Sequence, residues 1–114
     1  MKRTPLRKKS KKQLKIDKEL REVYQEMAET RRPLCSGCGT KQALTHSHLI
    51  PRSRRRDLVT DPGNITYHCM NCHKVWESGV QADKLFDFYS NMAYIKSVDE
   101  EYYNIRDLKL DKNN

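Results

Sequence analysis

The residues with the clearest capacity for chemistry in this 114-residue chain are its four cysteines and four histidines. The cysteines form two Cys-x-x-Cys pairs, Cys35 with Cys38 and Cys69 with Cys72. Two thiolates three residues apart on a tight turn can bind one ion together, and two such pairs complete the tetrahedral shell that zinc prefers. The spacing therefore predicts a structural zinc site. Two disulfides, or four buried thiols without metal, are the alternatives, but nothing else in the sequence suggests a secreted disulfide framework.

A histidine-bearing segment lies between the two cysteine pairs. It reads Thr-His-Ser-His-Leu-Ile-Pro-Arg-Ser from Thr45 to Ser53, and Asn64 and His73 follow it. Imidazole has an unperturbed pKa of about 6.5, so at neutral pH it can accept a proton or bind a metal. Each residue alone also has a simpler interpretation, since Asn64 follows Asp-Pro-Gly and could be only a turn former. His68, beside a cysteine, is expected to be a supporting or surface residue.

The elements that must position these residues can be predicted from local pattern. We expect a strand over Ala43 to Ile50, a polar loop that ends in a turn at 61–64, and a second strand over Ile65 to Tyr67. Met70 to Ser78 is predicted to form a short helix that Gly79 closes. The order strand, loop, strand, helix defines a ββα unit with the cysteine pairs at its base. Trp76 is expected to be a core residue rather than a platform for stacking bases.

The regions flanking this unit are predicted to be helical or extended. Residues 1–15 carry eight Lys and Arg side chains and no acidic one, so we assign them to a basic flexible arm. An apolar stripe from Ile16 to Met27 predicts an amphipathic helix from about Lys11 to Arg31, within an N-terminal helical region assigned to 16–32. Residues 80–110 are assigned to C-terminal helices packed on the core, with a capping box at Ser97 to Glu100, and 111–114 to a frayed tail.

Composition limits the class of protein. The hydrophobic fraction of 36% indicates one small domain with a thin core, which a bound metal would help to stabilise. The formal net charge of +8 favours polyanionic partners, nucleic acid before anionic membranes. No segment approaches the ~20 apolar residues of a membrane span, so we expect a protein of the cytoplasm. Phosphate contacts, rather than a merely solvated loop, are predicted for five basic side chains: Arg52, Arg54, Arg55, Arg56 and Lys74.

The ordered combination of motifs over roughly residues 33–78 resembles the HNH endonuclease family, in the zinc-bearing form common in phage genomes. The resemblance rests on Ser47 to Ser53, on Asn64-Ile65 and on Cys69 to Lys74. It implies an α+β fold of the ββα-metal type with a four-cysteine structural zinc site, flanked by N- and C-terminal helices. It also implies a zinc-stapled nuclease core over residues 33–79.

The same resemblance assigns roles to particular residues. His48 would be the general base, Asn64 would brace the loop and orient His48, and His73 would bind a catalytic divalent ion such as Mg²⁺, Mn²⁺ or another first-row metal. Glu77 lies one helical turn beyond His73 and is a candidate second ligand. The family usually has Asp or His before the base, whereas this chain has Ser47, a weaker ligand. A water, Glu77 or His46 could take its place.

The predicted function is a metal-dependent DNA endonuclease, a nickase or double-strand cutter, that acts on double-stranded DNA in phage or mobile-element DNA processing. A homodimer or two successive visits would be needed to cut both strands. The alternative is a non-catalytic zinc-knuckle protein that binds DNA or RNA. A zinc finger that binds proteins would explain the cysteines but not the arginines.

Overall fold

The protein folds as an α+β domain, which a computed structural model describes over residues 9 to 112. The helices and strands in this range are α1 (Lys11–Thr30), β1 (Leu44–His48), β2 (Ile65–Cys69), α2 (Met70–Ser78), α3 (Phe88–Val98) and α4 (Glu100–Lys112). Short 3₁₀ turns lie at Arg56–Leu58, Pro62–Asn64 and Ala82–Lys84. The prediction of a small α+β fold with helices on both sides of a two-stranded unit is confirmed. None of these helices is long and apolar enough to cross a membrane.

Helix α1 begins at Lys11 because the hydroxyl of Ser10 accepts a hydrogen bond from the Gln13 amide at 3.1 Å. Residues 11–15 of the predicted arm are therefore helical, and residues 1–8 lie outside the described range. The helix ends at Thr30 because Arg31 is extended and Pro33 follows. The Arg31 guanidinium donates to the carbonyls of Ile65 and Pro62 at 2.6 and 2.8 Å, which anchors the end of α1 to the hairpin.

Strands β1 and β2 form an antiparallel hairpin whose register pairs His46 with Tyr67 and His48 with Ile65. The pairing of Leu44 with Cys69 extends β2 two residues beyond the predicted strand. Because side chains alternate along a strand, His46 and His48 share one face and Ser47 points to the other. The hairpin thus separates the two histidines from the serine between them.

Helix α2 has the predicted bounds, Met70–Ser78. Its first turn is capped by a cysteine, since the Cys72 amide donates to the Sγ atom of Cys69 at 3.5 Å. It ends at Gly79, whose φ of 77° is the left-handed conformation that favours glycine after a helix. This helix carries His73 and Glu77 on its exposed side and buries Trp76, which is 1% exposed.

The C-terminal region is helical, as predicted, but its boundaries differ. Helix α3 begins at Phe88, and Leu85 before it is extended rather than helical. Asp99, not Ser97, caps α4, because its Oδ1 atom accepts from the Tyr102 amide at 3.1 Å. The Ser97 hydroxyl instead donates to the Tyr94 carbonyl inside α3. Helix α4 continues to Lys112, into the predicted frayed tail, and residues 113–114 lie outside the described range.

The main core lies between the hairpin, α2 and α3. Trp76, Ile50 and Ile95 are essentially inaccessible, and Phe88 packs edge-on against Trp76 with 6.4 Å between ring centroids. A second, smaller cluster joins Val23 and Met27 of α1 to the hairpin. The hairpin and α2 are therefore held from both sides, which fixes the residues they carry.

Candidate functional site

The four cysteines lie together, as the sequence predicts. The Sγ atoms of Cys35, Cys38, Cys69 and Cys72 all lie within 4.8 Å of one another. Tetrahedral zinc with Zn–S bonds of about 2.3 Å places its sulfurs about 3.8 Å apart, and the Sγ atoms of Cys38 and Cys69 are 3.7 Å apart. All four thiols are free. The cluster could therefore coordinate a metal ion such as zinc.

Backbone amides favour the thiolate form of Cys35, whereas burial and the neighbouring thiols raise the pKa of Cys72. Burial acts to raise the pKa of the Cys35 thiol, but the amides of Cys69, Cys38 and Gly37 outweigh it and lower the pKa to about 6. The Gly37 amide donates to Cys35 Sγ at 3.3 Å. A side chain at residue 37 would place its Cβ only 3.0 Å from Cys72 Sγ, so glycine is needed for this close approach.

Two of the predicted catalytic residues and one predicted metal ligand meet in a single cleft. His48 from β1 and His73 and Glu77 from α2 line a cavity of about 350 Å³. The hairpin positions His48 and the adjoining helix positions the other two, so the β1–β2–α2 order of the chain brings them together. The cavity also contains Arg106 of α4, which the sequence did not suggest.

The hydrogen bond made by His48 fixes its tautomer. Its Nε2 atom lies 2.9 Å from the carbonyl oxygen of Val59. A carbonyl oxygen only accepts, so Nε2 carries the hydrogen and Nδ1 keeps an unshared lone pair. Neutral His48 can therefore take up a proton at Nδ1, as a general base must.

His73 and Glu77 form a pair suited to holding a cation. The Thr45 hydroxyl donates to the carbonyl of His68 at 2.8 Å, so its oxygen accepts from His73 Nδ1 at 2.7 Å. The Nε2 atom of His73 then lies 2.8 Å from Glu77 Oε1. Neighbouring ligand atoms about 2.1 Å from an octahedral ion lie about 3.0 Å apart. A carboxylate oxygen only accepts, so Nε2 donates this hydrogen bond, and a divalent ion bound by the two atoms would replace the shared hydrogen at a similar separation.

Asn64 braces the loop between the strands, and it does so through backbone groups rather than through His48. Its Oδ1 atom accepts from the Ile50 amide at 2.8 Å, and its Nδ2 donates to the carbonyls of Ile50 and Leu58, both at 3.1 Å. Leu58 precedes Val59, whose carbonyl holds His48. The predicted influence of Asn64 on His48 is therefore indirect, through the loop.

Ser47 does not lie in the cleft. It is fully buried on the opposite face of β1, and its hydroxyl has no hydrogen-bond partner among the described residues. This position is at odds with its predicted role as a ligand of the catalytic ion. His46 lines the cleft in its place, with its ring stacked on Tyr24 at 3.8 Å. Burial, and then the charge of His48, lower the pKa of His46.

Two of the arginines predicted to contact DNA are used within the protein. Arg54 donates to both carboxylate oxygens of Asp99 at 3.2 Å. Arg55 binds both oxygens of Asp57, at 2.9 and 2.8 Å, and the Val98 carbonyl. Hydrogen bonds to these carboxylates raise the pKa of both guanidiniums. These contacts tie the loop to the α3–α4 junction, and the predicted phosphate contacts of Arg54 and Arg55 remain a prediction.

The other three predicted DNA contacts lie on the surface. Arg52 and Arg56 are exposed on the loop, and Lys74 is exposed on α2. Arg52 also lines the cleft and donates to Gln13 Oε1 of α1 at 2.5 Å. These three remain available to a polyanion, so their predicted role remains a prediction.

His68 is a core residue rather than a surface one. It is fully buried, and its Nε2 atom lies 2.9 Å from Asp87 Oδ2, which also accepts from Asn91 at 2.8 Å. Burial acts to raise the pKa of Asp87, but the hydrogen bonds from His68 and Asn91 outweigh it and lower the pKa. The pair joins β2 to the start of α3.

Comparison of the chain with protein-family models, with curated proteins and with solved structures found no match.

Proposed function

We propose that this protein is a metal-dependent DNA endonuclease of the HNH type that hydrolyses phosphodiester bonds. The observation that carries the proposal is the meeting of His48, His73 and Glu77 in one cavity. A base with a free lone pair and a two-ligand site for a cation are the two parts that hydrolysis of a phosphodiester needs. A protein that only binds nucleic acid needs neither.

His48 begins the reaction by accepting a proton at Nδ1 from a water molecule as the water oxygen attacks phosphorus. The bond from phosphorus to the 3′ oxygen then breaks and the 3′ oxygen takes a proton from solvent water, which leaves a 5′-phosphate and a 3′-hydroxyl. The Val59 carbonyl holds the His48 ring during the transfer and stabilises the resulting imidazolium. A divalent ion such as Mg²⁺ or Mn²⁺, bound by His73 and Glu77, would supply charge neutralisation at the phosphate and at the leaving oxygen.

The cysteine cluster has a structural role in this proposal. Cys69 and Cys72 lie at the junction of β2 and α2, and Cys72 directly precedes His73. Zinc at this cluster would tie that junction to the segment around Cys35. Because the core is small, zinc would supply folding free energy and would fix the base of the helix that carries the cation ligands.

Double-stranded DNA is the proposed substrate because the chain has a net charge of +8 and a basic N-terminal segment. Arg52, Arg56 and Lys74 would contact phosphates beside the cleft, with the hairpin and α2 seated in the minor groove. A single cleft cuts one strand at a time, so a double-strand break would require either a homodimer or two successive binding and cleavage events. The proposed setting is phage or mobile-element DNA processing in the cytoplasm of a bacterial host.

Incubation of supercoiled plasmid with the zinc-loaded full chain and Mg²⁺ or Mn²⁺ tests the proposal. We expect nicked or linear product with wild type and a rate at least about 100-fold lower with His48→Ala, the usual scale of a general base. Gln25→Ala, an exposed change on α1, is the matched control and should keep the wild-type rate. Cleavage that requires no divalent ion, or that survives His48→Ala, contradicts the proposal. Salt-dependent binding with no cleavage by wild type would favour a non-catalytic nucleic-acid-binding protein.

A further inference from the structure

Arg106 of α4 places a buried cation at the wall of the cleft that contains His48 and His73. It is 6% exposed, and its Nη2 atom donates to the Trp76 carbonyl at 2.6 Å. Its Cζ atom lies 3.8 Å from the centroid of the Trp76 ring, so the guanidinium is stacked on the indole. The side chain is therefore held in one place by both a hydrogen bond and a ring.

This guanidinium has no anionic partner among the described residues. No carboxylate oxygen in that part of the chain lies within 4.0 Å of it, whereas the half-buried Arg54 and Arg55 have such partners and the half-buried Arg31 donates only to two carbonyls. A guanidinium has five N–H donors, and the Trp76 carbonyl accepts from only one of its nitrogens. Burial of a charge without an anion is costly, so the arrangement favours an anion bound from outside the chain.

The cavity itself favours a negatively charged ligand. Arg52 and Arg106 line it together with three histidines, and Glu77 is the single carboxylate among its lining residues in the described range. The planar fork of a guanidinium matches two oxygens of a phosphate, which the single point charge of an ammonium does not. The fork would match a carboxylate equally well, but the base and the proposed cation site beside it suit a phosphodiester, on which both groups would act.

We propose that Arg106 binds a non-bridging oxygen of the phosphodiester in this cleft and is a further catalytic residue. The role in catalysis rests on the proposed function, whereas the anion site is a property of the cavity alone. Fixed donors aimed at a phosphate stabilise the negative charge that grows on its oxygens as water attacks. Helix α4, which lies outside the segment that resembles HNH proteins, would then complete the active site.

Trp76 provides a direct readout because it is the single tryptophan in the sequence and is in contact with Arg106. The experiment titrates the zinc-loaded full chain with dimethyl phosphate, without divalent ion, and follows tryptophan emission against NaCl of equal ionic strength. We expect a saturable change in wild type and in His48→Ala, and an apparent Kd at least about tenfold weaker in Arg106→Gln. Glutamine removes the charge and keeps an amide donor, but its nitrogen reaches only to the place of the arginine Nε, so Arg106→Lys, which keeps the charge, is measured beside it. Equal affinity in Arg106→Gln, or no saturable response in wild type, would overturn the anion site.

Cleavage kinetics separate this inference from the proposed function. Removal of the Arg106 guanidinium, as a donor to the phosphate in the transition state, should lower kcat by about 100-fold or more with a smaller effect on KM. Arg106→Lys keeps the positive charge but not the planar fork, so its kcat should lie between those of wild type and Arg106→Gln. If Arg106→Gln loses its zinc or its folded circular dichroism spectrum, the comparison of Arg106→Lys with wild type is the test. A wild-type kcat in a folded Arg106 variant would overturn the catalytic role. Arg106-dependent binding of dimethyl phosphate without cleavage by wild type would refute the nuclease and the catalytic role, and leave the anion site standing.

Discussion

Replacement of Asn64 by alanine should destabilise the protein far more than a typical polar substitution. The change removes three hydrogen bonds, two to Ile50 and one to Leu58. Ile50 is fully buried, so its amide and its carbonyl would both lose their partner without access to water. Leu58 is partly exposed, and water can replace the bond to its carbonyl.

The magnitude follows from this difference in exposure. A buried polar group left without a partner costs about 1–3 kcal/mol, and a bond that water can replace costs about 1 kcal/mol or less. Two orphaned groups on Ile50 therefore lower the free energy of unfolding by about 3 kcal/mol. With a urea m-value of about 1.5 kcal/mol/M, the unfolding midpoint should fall by about 2 M.

Urea unfolding of zinc-loaded protein, followed by Trp76 fluorescence, measures this quantity. Asn71→Ala is the matched control because Asn71 is exposed on α2, and it should change the free energy of unfolding by less than about 0.5 kcal/mol. Equal losses in the two variants would refute the account of Asn64 as the brace of the loop. We also expect slower cleavage in Asn64→Ala, because the loop carries the carbonyl that holds His48.

Three further predictions concern the metal cluster, the arginine loop and the buried acid. Cys72→Ser should lose zinc and the cooperative unfolding transition together, as metal analysis and circular dichroism would report; a folded, zinc-free variant would contradict the structural role. The slope of the logarithm of the DNA-binding constant against the logarithm of salt concentration should fall by about one in Arg56→Gln. In Arg54→Gln this slope should stay unchanged while the loop becomes less stable. Equal slopes in wild type and both variants would contradict the different roles of the two arginines. Because the folded pKa of Asp87 is lowered, its carboxylate contributes stability that is present above the unfolded pKa of about 3.9 and lost as pH falls through the folded value. The stability difference between wild type and Asp87→Asn should therefore shrink on acidification, and a constant difference would argue against the hydrogen bond between His68 and the Asp87 carboxylate.

Local motifs allowed much of the fold to be predicted. The spacing within each cysteine pair sets a tight turn, and the need of zinc for four ligands predicts that the two pairs, distant in the sequence, meet. The bounds of α2 followed from Gly79, whose left-handed conformation ends the helix. Alternation along the strand predicted over Ala43 to Ile50 also implies that Ser47 points away from its two neighbouring histidines.

Contacts between residues distant in sequence could not be predicted in the same way. Arg54 and Asp99 are 45 residues apart, and nothing near Arg54 in the sequence distinguishes an arginine that binds a helix junction from one that binds phosphate. Arg106 lies in a helix with charged residues on many sides, and its burial depends on how α4 packs against Trp76. The cap of α4 was misplaced because both Ser97 and Asp99 are good capping residues, and only the geometry of the α3–α4 turn chooses between them.

The rate of plasmid cleavage by wild type and by His48→Ala, measured in Mn²⁺ on preparations with equal zinc content, tests the central claim most directly. The account predicts metal-dependent cleavage by wild type and a rate at least about 100-fold lower in the variant. A variant that folds, holds zinc and cleaves at the wild-type rate would contradict the assignment of His48 as the base, and with it the nuclease centre.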